Sequence, residues 1–272
     1  MLNSVVSNSL EYFFGSSAES LLSFLFFLIS IASASQDSNS SEKISNDAAV
    51  RGEQERKDFC VANSFPTSCS ESLKSTKLWI RVPEYSETPF QVACDQRSYD
   101  GGWTIILRRS DGSENFYREW KDYKHGFGQL NNEFFLGLDK IHAMTSSEPH
   151  ELLVLVTSLG SKQSYELYDD FKVGPESTNY TLQSLGLDSG NAGDGLAYHL
   201  GMQFSTKDRK NDVSNVNCAS RYEGAWWYND CHESNLCGKY GDLRTSTLKW
   251  LSDVLRRAVM MIRPKASSLK CS

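Results

Sequence analysis

The sequence predicts an α+β fold, built mainly from short strands with few helices. Short segments in which apolar and polar residues alternate, or in which apolar residues are continuous, are separated by turns and by glycine-rich loops such as Asp188–Gly195. Such segments are typical of strands that pair with their neighbours in sequence. Helical spacing of apolar residues is confined to two stretches, so helices do not alternate with strands as they would in a βαβ series. No internal repeat is visible.

The predicted elements follow in chain order. The strands are Leu78–Val82, Phe90–Ala93, Trp103–Leu107, Glu151–Thr157, Ser164–Phe171 and Ala258–Ile262. The helices are Phe116–Tyr123 and Ser246–Arg257. The composition turns globular at Phe59 and stays so until about Pro264, which predicts one domain at residues 59–264 and a carboxyl-terminal tail at residues 265–272. With 39% hydrophobic and 12% aromatic residues, the chain has ample material for a core.

The amino-terminal segment predicts export. Leu21–Ala34 is an apolar run of fourteen residues that ends in Ala-Ser-Ala, shorter than the about twenty residues that span a bilayer. We therefore predict a signal peptide at residues 1–34, a flexible linker at 35–58 and a secreted, extracellular protein without membrane insertion after cleavage. The preceding twenty residues contain Glu11 and Glu19 but no Lys or Arg, which leaves an uncleaved anchor or a misassigned start as alternatives.

Charge and cysteine content narrow the function classes. Lys and Arg total 28 against 34 Asp and Glu, without a long basic run, and this argues against a nucleic-acid partner. Seven cysteines in an exported chain predict disulfides, with at least one thiol unpaired or joined to another chain. Asn39 and Asn179 begin glycosylation sequons.

The stretch CASRYEGAWWYNDCHESNLC, from Cys218 to Cys237, has little in common with a metal site or a catalytic site. Cys231, His232 and Cys237 lack the Cys-x₂₋₄-Cys spacing of a structural zinc site. The serines and histidines of the chain show no pattern of nucleophile, base and orienting residue, so we predict that the protein is not an enzyme.

Three blocks carry a family resemblance. They are CDQRSYDGGWTIILRRSDGSENFYREWKDYKHGFGQLNNEFFLGLDKIH (Cys94–His142), AYHLGMQFSTKD (Ala197–Asp208) and GAWWYNDCHESNLCGKY (Gly224–Tyr240). Together they resemble the fibrinogen C-terminal globular domain, which is shared by fibrinogen chains, ficolins, tachylectins, angiopoietins and tenascins. The resemblance implies a mixed, mainly antiparallel sheet with short helices and a loop-rich lobe toward the carboxyl end.

The resemblance also implies two disulfides, Cys69–Cys94 and Cys218–Cys231. Cys60 is an alternative partner for Cys94, because STKLWIRVP stands where the family has a Ser-Gly-x-Tyr-x-Ile stretch. Cys237 replaces an Asn of the family and could be an unpaired thiol, join Cys271 or bridge two chains.

A calcium ion is a further implication, and one that this sequence puts in doubt. The family holds calcium in the loop that corresponds here to Lys207–Asn217. The family's two carboxylates align with Lys210 and Asp212, and its two backbone carbonyls align with Ser214 and Val216. Calcium needs six to eight oxygen ligands, and Lys210 supplies none. Asp208 could compensate, or Lys210 could pair with Asp212 and hold the loop without metal.

The family's ficolin and tachylectin members bind acetyl groups beside the second disulfide, where the peptide before the cysteine, here Asp230–Cys231, is cis. By position the candidate ligand-binding residues are Tyr222, Trp226, Trp227, Asp230, Cys231, His232 and Tyr240, with core packing as the alternative for the tryptophans. The predicted partner is an acetylated glycan bound by a lectin-like, innate-immune type of protein. A protein receptor, as for an angiopoietin-like or matrix ligand, is the alternative. The chain contains no collagen-like or heptad repeat, so a homo-oligomer would form through the globular part or a cysteine.

Overall fold

The computed structural model describes residues 65–241 and 248–265. The predicted signal peptide, the linker, Asn39, Cys60, Cys271 and residues 266–272 of the tail lie outside these residues, and the boundary at residue 59 stays a prediction. Within the described ranges, no helix has the length and apolar character needed to cross a membrane.

Antiparallel pairing organises the described part of the chain. The strand order of the larger sheet is β1-β2-β3-β13-β6-β7-β10, with β4, β5, β11 and β12 paired at its sides, while β8 and β9 form a separate ribbon. The strands are β1 (Lys77–Ile80), β2 (Phe90–Asp95), β3 (Trp103–Arg109), β4 (Phe127–Gly128), β5 (Phe134–Phe135), β6 (His150–Ser158), β7 (Gln163–Tyr168), β8 (Lys172–Val173), β9 (Leu182–Ser184), β10 (Asp188–Gly190), β11 (Ser234–Asn235), β12 (Lys249–Trp250) and β13 (Asp253–Pro264).

The helices are few and short in the same residues. They are α1 (Trp120–His125), α2 (Leu138–Ser147) and α3 (Cys218–Arg221). Helix α2 buries Leu138, Ile141 and Met144 on one face, at the spacing of successive helical turns. It is joined to β8 by Thr145, whose Oγ1 accepts a hydrogen bond of 3.2 Å from the Val173 amide. The α+β class is confirmed.

All six predicted strands are confirmed within a few residues, and the helix predictions fare less well. The helix predicted at Ser246–Arg257 is wrong where the structure describes it. There β12 and β13 form a tight hairpin, and Leu251 takes a left-handed φ of 50° in the turn between them. The apolar residues at 248, 251 and 255 have helical spacing, but pairing with β11, β3 and β6 determines the backbone. The helix predicted from Phe116 begins at Trp120, and α2 was not predicted.

A buried ion pair joins the sheet to the carboxyl-terminal lobe, defined as residues 197–240. Arg109 at the end of β3 and Glu133 before β5 are each 1% exposed, with Arg109 Nε 3.5 Å from Glu133 Oε1. Arg109 Nη1 donates hydrogen bonds to the carbonyls of Leu236 at 3.0 Å and Gly238 at 2.7 Å. The arginine thereby fixes a lobe segment directly onto the central sheet.

The pair is stabilised from both sides. The Arg109 guanidinium lies 3.8 Å from the centre of the Phe116 ring, a distance suited to a cation–π contact. Glu133 accepts hydrogen bonds from the backbone N–H groups of Ser110 at 2.7 Å and Glu114 at 3.0 Å. Burial acts to raise the pKa of Glu133, but these N–H groups and Arg109 hold it below its usual value.

We expect Glu133→Ala to lower the free energy of unfolding by about 3–5 kcal/mol, because it leaves a buried guanidinium without its counter-charge. Denaturant titration of the purified domain measures this loss. The matched control is Asp122→Ala, since the Asp122 side chain is 43% exposed and 3.7 Å from Arg118; exposed pairs contribute below about 1 kcal/mol. Equal losses in the two variants would contradict the assigned importance of the buried pair.

Candidate functional site in the carboxyl-terminal lobe

The lobe contains a disulfide that begins in α3. Cys218, the first residue of α3, pairs with Cys231 at an S–S distance of 2.06 Å, and the Asp230–Cys231 peptide is cis. The other described disulfide is Cys69–Cys94, so the alternative pairing of Cys60 with Cys94 is wrong.

His199 holds the backbone on both sides of this turn. Its ring is 0% exposed, and Nδ1–H donates to the Trp227 carbonyl at 2.7 Å. Nε2 accepts from the amides of Glu233 at 3.3 Å and Ser234 at 3.2 Å, so the imidazole is neutral. Sequence reasoning assigned no role to His199. The only signal was its place in the Ala197–Asp208 block.

Tyr222 and His232 form the aromatic part of the site. Their ring centres are 4.4 Å apart in an edge-to-face arrangement. Both ring nitrogens of His232 are buried without a hydrogen-bond partner among the described residues. Burial, and secondarily Lys249 and His199, lower the pKa of His232 to about 4, so this imidazole is also neutral near pH 7.

Two main-chain donors lie beside these rings. Within the described residues, the N–H groups of Cys231 and His232 donate to no protein acceptor, while the Cys231 carbonyl accepts from the Asn229 amide at 2.9 Å. A fixed donor next to aromatic side chains is the usual composition of a site for a small, partly apolar ligand.

Trp226 and Trp227 are core residues and do not line the site. Trp226 is 0% and Trp227 1% exposed, and Trp227 Nε1 donates to the Tyr180 carbonyl at 2.7 Å. Their assignment as ligand contacts is therefore wrong for both, because aromatic neighbours rather than solvent surround them. The rings of Phe171 and Phe204 lie edge-on to Trp227 at 6.4 and 5.2 Å.

Asp230 and Tyr240 lie at the margins of the site. Asp230 is exposed, and its carbonyl accepts from the Tyr198 hydroxyl at 3.1 Å. The Tyr240 hydroxyl contacts the carbonyls of Ser110 at 3.1 Å and Arg256 at 3.0 Å. Tyr240 thus anchors the lobe to the residue after β3 and to β13, and its role in ligand binding stays a prediction.

Comparison with known proteins decides the family. Residues 65–265 match the family described as the C-terminal globular domain of fibrinogen beta and gamma chains. The chain belongs to the fibrinogen C-terminal domain family. The resemblance noted in the sequence is confirmed.

Three relatives place the chain within this family. Ryncolin-4 of Cerberus rynchops is 40% identical over 203 residues, which cover 71% of this chain and 59% of ryncolin-4. Tenascin-R of Gallus gallus is 49% identical over 156 residues, covering 57% of this chain and 11% of tenascin-R. The solved fibrinogen-like globe domain of human ANGPTL2 superimposes with a TM-score of 0.69 at 39% identity, covering 73% of this chain and 99% of that domain.

The chain therefore spans little more than half the length of ryncolin-4 and about a tenth of tenascin-R. None of these relatives is named as an enzyme.

The calcium loop of the family does not fit a calcium ion in this chain. Lys210 Nζ lies 3.0 Å from Asp212 Oδ1 and donates to the Asp212 carbonyl at 2.8 Å, so an ammonium occupies the surroundings of the expected ligand. Asp208 is held at the start of α1, because its Oδ1 accepts from the Trp120 amide at 2.9 Å and the Thr206 hydroxyl at 2.7 Å. The Ser214 hydroxyl is 3.5 Å from the amide of Val216, and Val216 is 40% exposed. The described residues contain no group of three or more His, Cys, Asp or Glu side chains suited to a metal.

Cys237 is a free thiol in the core. It is 0% exposed, and its neighbours include Arg109 and the Tyr123 hydroxyl. The alternatives in which it joins Cys271 or bridges two chains are therefore wrong. Burial raises the pKa of the Cys237 thiol to about 12.

The sequon residue Asn179 is half-buried. Its Nδ2 donates to Gln203 Oε1 at 2.8 Å, and its Oδ1 accepts from Arg209 Nη2 at 2.8 Å. Glycosylation of Asn179 stays a prediction.

We expect the free energy of unfolding to fall as the pH decreases from about 6.5 toward 4. Burial lowers the pKa of His199 from 6.5 to about 4, so the unfolded chain takes up this proton first and gains stability relative to the fold. The loss reaches about 3 kcal/mol for His199. Denaturant titrations across this pH range should give a shallower slope for His199→Gln. The control His125→Gln, whose side chain is 55% exposed, should keep the wild-type profile, and an unchanged slope in His199→Gln would contradict the assignment.

We expect Cys237 to resist alkylation in the native protein, because the thiolate is the reactive form and burial suppresses it. Iodoacetamide labelling followed by peptide mapping should leave the Cys237 peptide unmodified. The same peptide should be labelled in guanidinium chloride. Rapid labelling under native conditions would show that the thiol is accessible.

Proposed function

We propose that the protein is a secreted, extracellular recognition protein, without catalytic activity, whose lobe binds acetylated carbohydrates. The observation that carries this proposal is the pair of unengaged N–H groups at Cys231 and His232 beside the Tyr222–His232 rings. In this proposal an acetyl carbonyl accepts from those N–H groups, and the acetyl methyl packs against the rings.

Neutrality of the site supports an uncharged ligand. The pKa of His232 is lowered by burial, so its imidazole adds no positive charge at pH 7. A neutral imidazole has one nitrogen that donates and one that accepts a hydrogen bond. The same two nitrogens are buried without partners in the described residues. A ligand that pairs with one of them removes a desolvation penalty.

We expect the domain to be retained on N-acetylglucosamine resin and released by free acetate, but to pass through a matched glucosamine resin that lacks the acetyl group. Tyr222→Ala and His232→Ala should each weaken retention about tenfold, the equivalent of about 1.4 kcal/mol. Tyr222→Phe should keep most of it, because the ring remains.

His125→Ala is the matched control for the histidine, since His125 lies on α1 outside the lobe. Its retention should equal that of the wild type. Flow-through of the correctly disulfide-bonded wild-type domain on the acetylated resin would overturn the proposal.

A protein receptor is the second candidate, favoured by two apolar side chains on the neighbouring loop. Val213 is 66% and Val216 40% exposed, and a contiguous apolar surface that included them would suit a protein interface. The similarity to tenascin-R and to the ANGPTL2 domain allows such a role. If a receptor docks through these valines, Val213→Glu should weaken its binding and His232→Ala should leave it unchanged. Acetyl binding should show the opposite result, a loss in His232→Ala and no change in Val213→Glu.

A further inference from the structure

The loop Lys207–Asn217 contains an ion pair between two of its own residues, Lys210 and Asp212. The Asp212 side chain is 0% exposed, whereas that of Lys210 is 37% exposed. Lys210 Nζ reaches both Asp212 Oδ1, at 3.0 Å, and the Asp212 carbonyl oxygen, at 2.8 Å. The lysine thus enters the loop from the solvent side and binds two oxygens of the same residue.

A buried carboxylate needs a positive partner, because desolvation of an unpaired charge is costly. In this loop the ammonium supplies that charge. A divalent cation at Asp212 would lie close to the ammonium and be repelled by it. The two positive charges therefore compete for the same carboxylate.

The other charged groups of the loop are engaged elsewhere. Asp208 binds the Trp120 amide and the Thr206 hydroxyl. The Arg209 guanidinium lies 4.0 Å from the Trp120 ring centre, and Lys207 Nζ lies 4.8 Å from that of Tyr117. Asp212 is the buried carboxylate of the loop, and Lys210 already pairs with it.

The ion pair is connected to the candidate binding site. Asp212 Oδ2 accepts from the Cys218 amide at 3.4 Å, and Cys218 forms the disulfide with Cys231. Asn217 Nδ2 donates to the Lys207 carbonyl at 3.1 Å and its Oδ1 accepts from the Ser220 amide at 2.9 Å. The loop, α3 and the disulfide are thus one hydrogen-bonded unit.

We propose that Lys210 is a built-in counter-ion that replaces a bound divalent cation in this loop, so that the lobe folds independently of calcium. A single substitution, Lys210→Asp, should then create a calcium site, because it exchanges the competing charge for a second carboxylate beside Asp212. This proposal does not depend on the ligand of the lobe.

The test is thermal unfolding of the full disulfide-bonded protein in EDTA and in about 10 mM CaCl₂, with calorimetric titration of calcium alone. The wild type should shift its Tm by less than about 1 °C and give no binding heat. Lys210→Asp should gain roughly 3–10 °C in calcium, the shift expected for a site with Kd of about 0.1–1 mM. Lys210→Met, which keeps the length but removes the charge, should lower Tm in EDTA by at least about 5 °C.

Two controls make the result decisive. The double variant Lys210→Asp, Asp212→Asn should lose the calcium response, which assigns it to this loop. Micromolar calcium binding by the wild-type protein, or a large wild-type Tm shift, overturns the proposal even if Lys210→Asp fails to fold. Failure of acetyl-resin retention with an unchanged calcium-independent Tm would reject the proposed function and leave this inference standing.

Discussion

The buried Arg109–Glu133 pair is the constraint on which the position of the lobe depends. Arg109 ends a central strand, yet its guanidinium binds the carbonyls of Leu236 and Gly238. Glu133 balances that charge and binds the backbone after β3. Because both groups are desolvated, moving the lobe from the sheet would separate a buried charge from its partners. The pair therefore sets the lobe's place on the sheet, and neutral apolar packing alone would not do so with the same directional bonds.

Within the lobe, three further polar contacts complete that positioning. His199 binds backbone groups on both sides of the Cys231 turn, Lys210 neutralises Asp212, and Tyr240 binds the residue after β3 and a residue of β13. Each of these three side chains forms a hydrogen bond with main-chain atoms, and Lys210 pairs with a side chain as well. Backbone anchoring fixes the path of a loop without regular secondary structure, where a ladder of hydrogen bonds is missing. The rigid part of the lobe is thus its backbone, and Tyr222 and His232 are presented on it.

The strands were predictable because their pattern of apolar residues matches the burial that strand pairing imposes on them. Trp103–Leu107 and Ala258–Ile262 are buried nearly throughout and lie side by side as β3 and β13. The hairpin around Leu251 was not predictable, since apolar residues at 248, 251 and 255 fit a helix equally well and only pairing with distant strands decides between them. Helix α2 was missed although Leu138, Ile141 and Met144 carry a helical spacing.

For the site, the residue pattern identified the right turn but could not divide core from surface. Trp226 and Trp227 belong to the same stretch as Tyr222 and His232. All four are ring-bearing residues that commonly line ligand sites, so residue type alone does not show which of them contact a ligand. The division comes from neighbours far away in sequence, such as Phe171, Tyr180 and Phe204. The roles of Arg109 and His199 depend on contacts over 127 and 34–35 residues, which local pattern does not encode.

The distribution of unpaired buried polar atoms gives the last argument about where a ligand would act. Seven buried side-chain atoms of the described residues lack a hydrogen-bond partner: Arg109 Nε, Asp212 Oδ1, Trp226 Nε1, both His232 ring nitrogens, Ser234 Oγ and Asn235 Nδ2. Arg109 Nε and Asp212 Oδ1 each face an opposite charge, at 3.5 and 3.0 Å, and the other five atoms all belong to the lobe. Such atoms are usually paired in folded proteins because each costs free energy when left alone. In the sheet, Arg109 Nε is the one such atom among the described residues, and the carboxylate of Glu133 lies 3.5 Å from it. His232 is the one residue of this set that is not fully buried as a whole, although both of its ring nitrogens are buried. A ligand that enters beside the ring would therefore find its missing hydrogen-bond partners there.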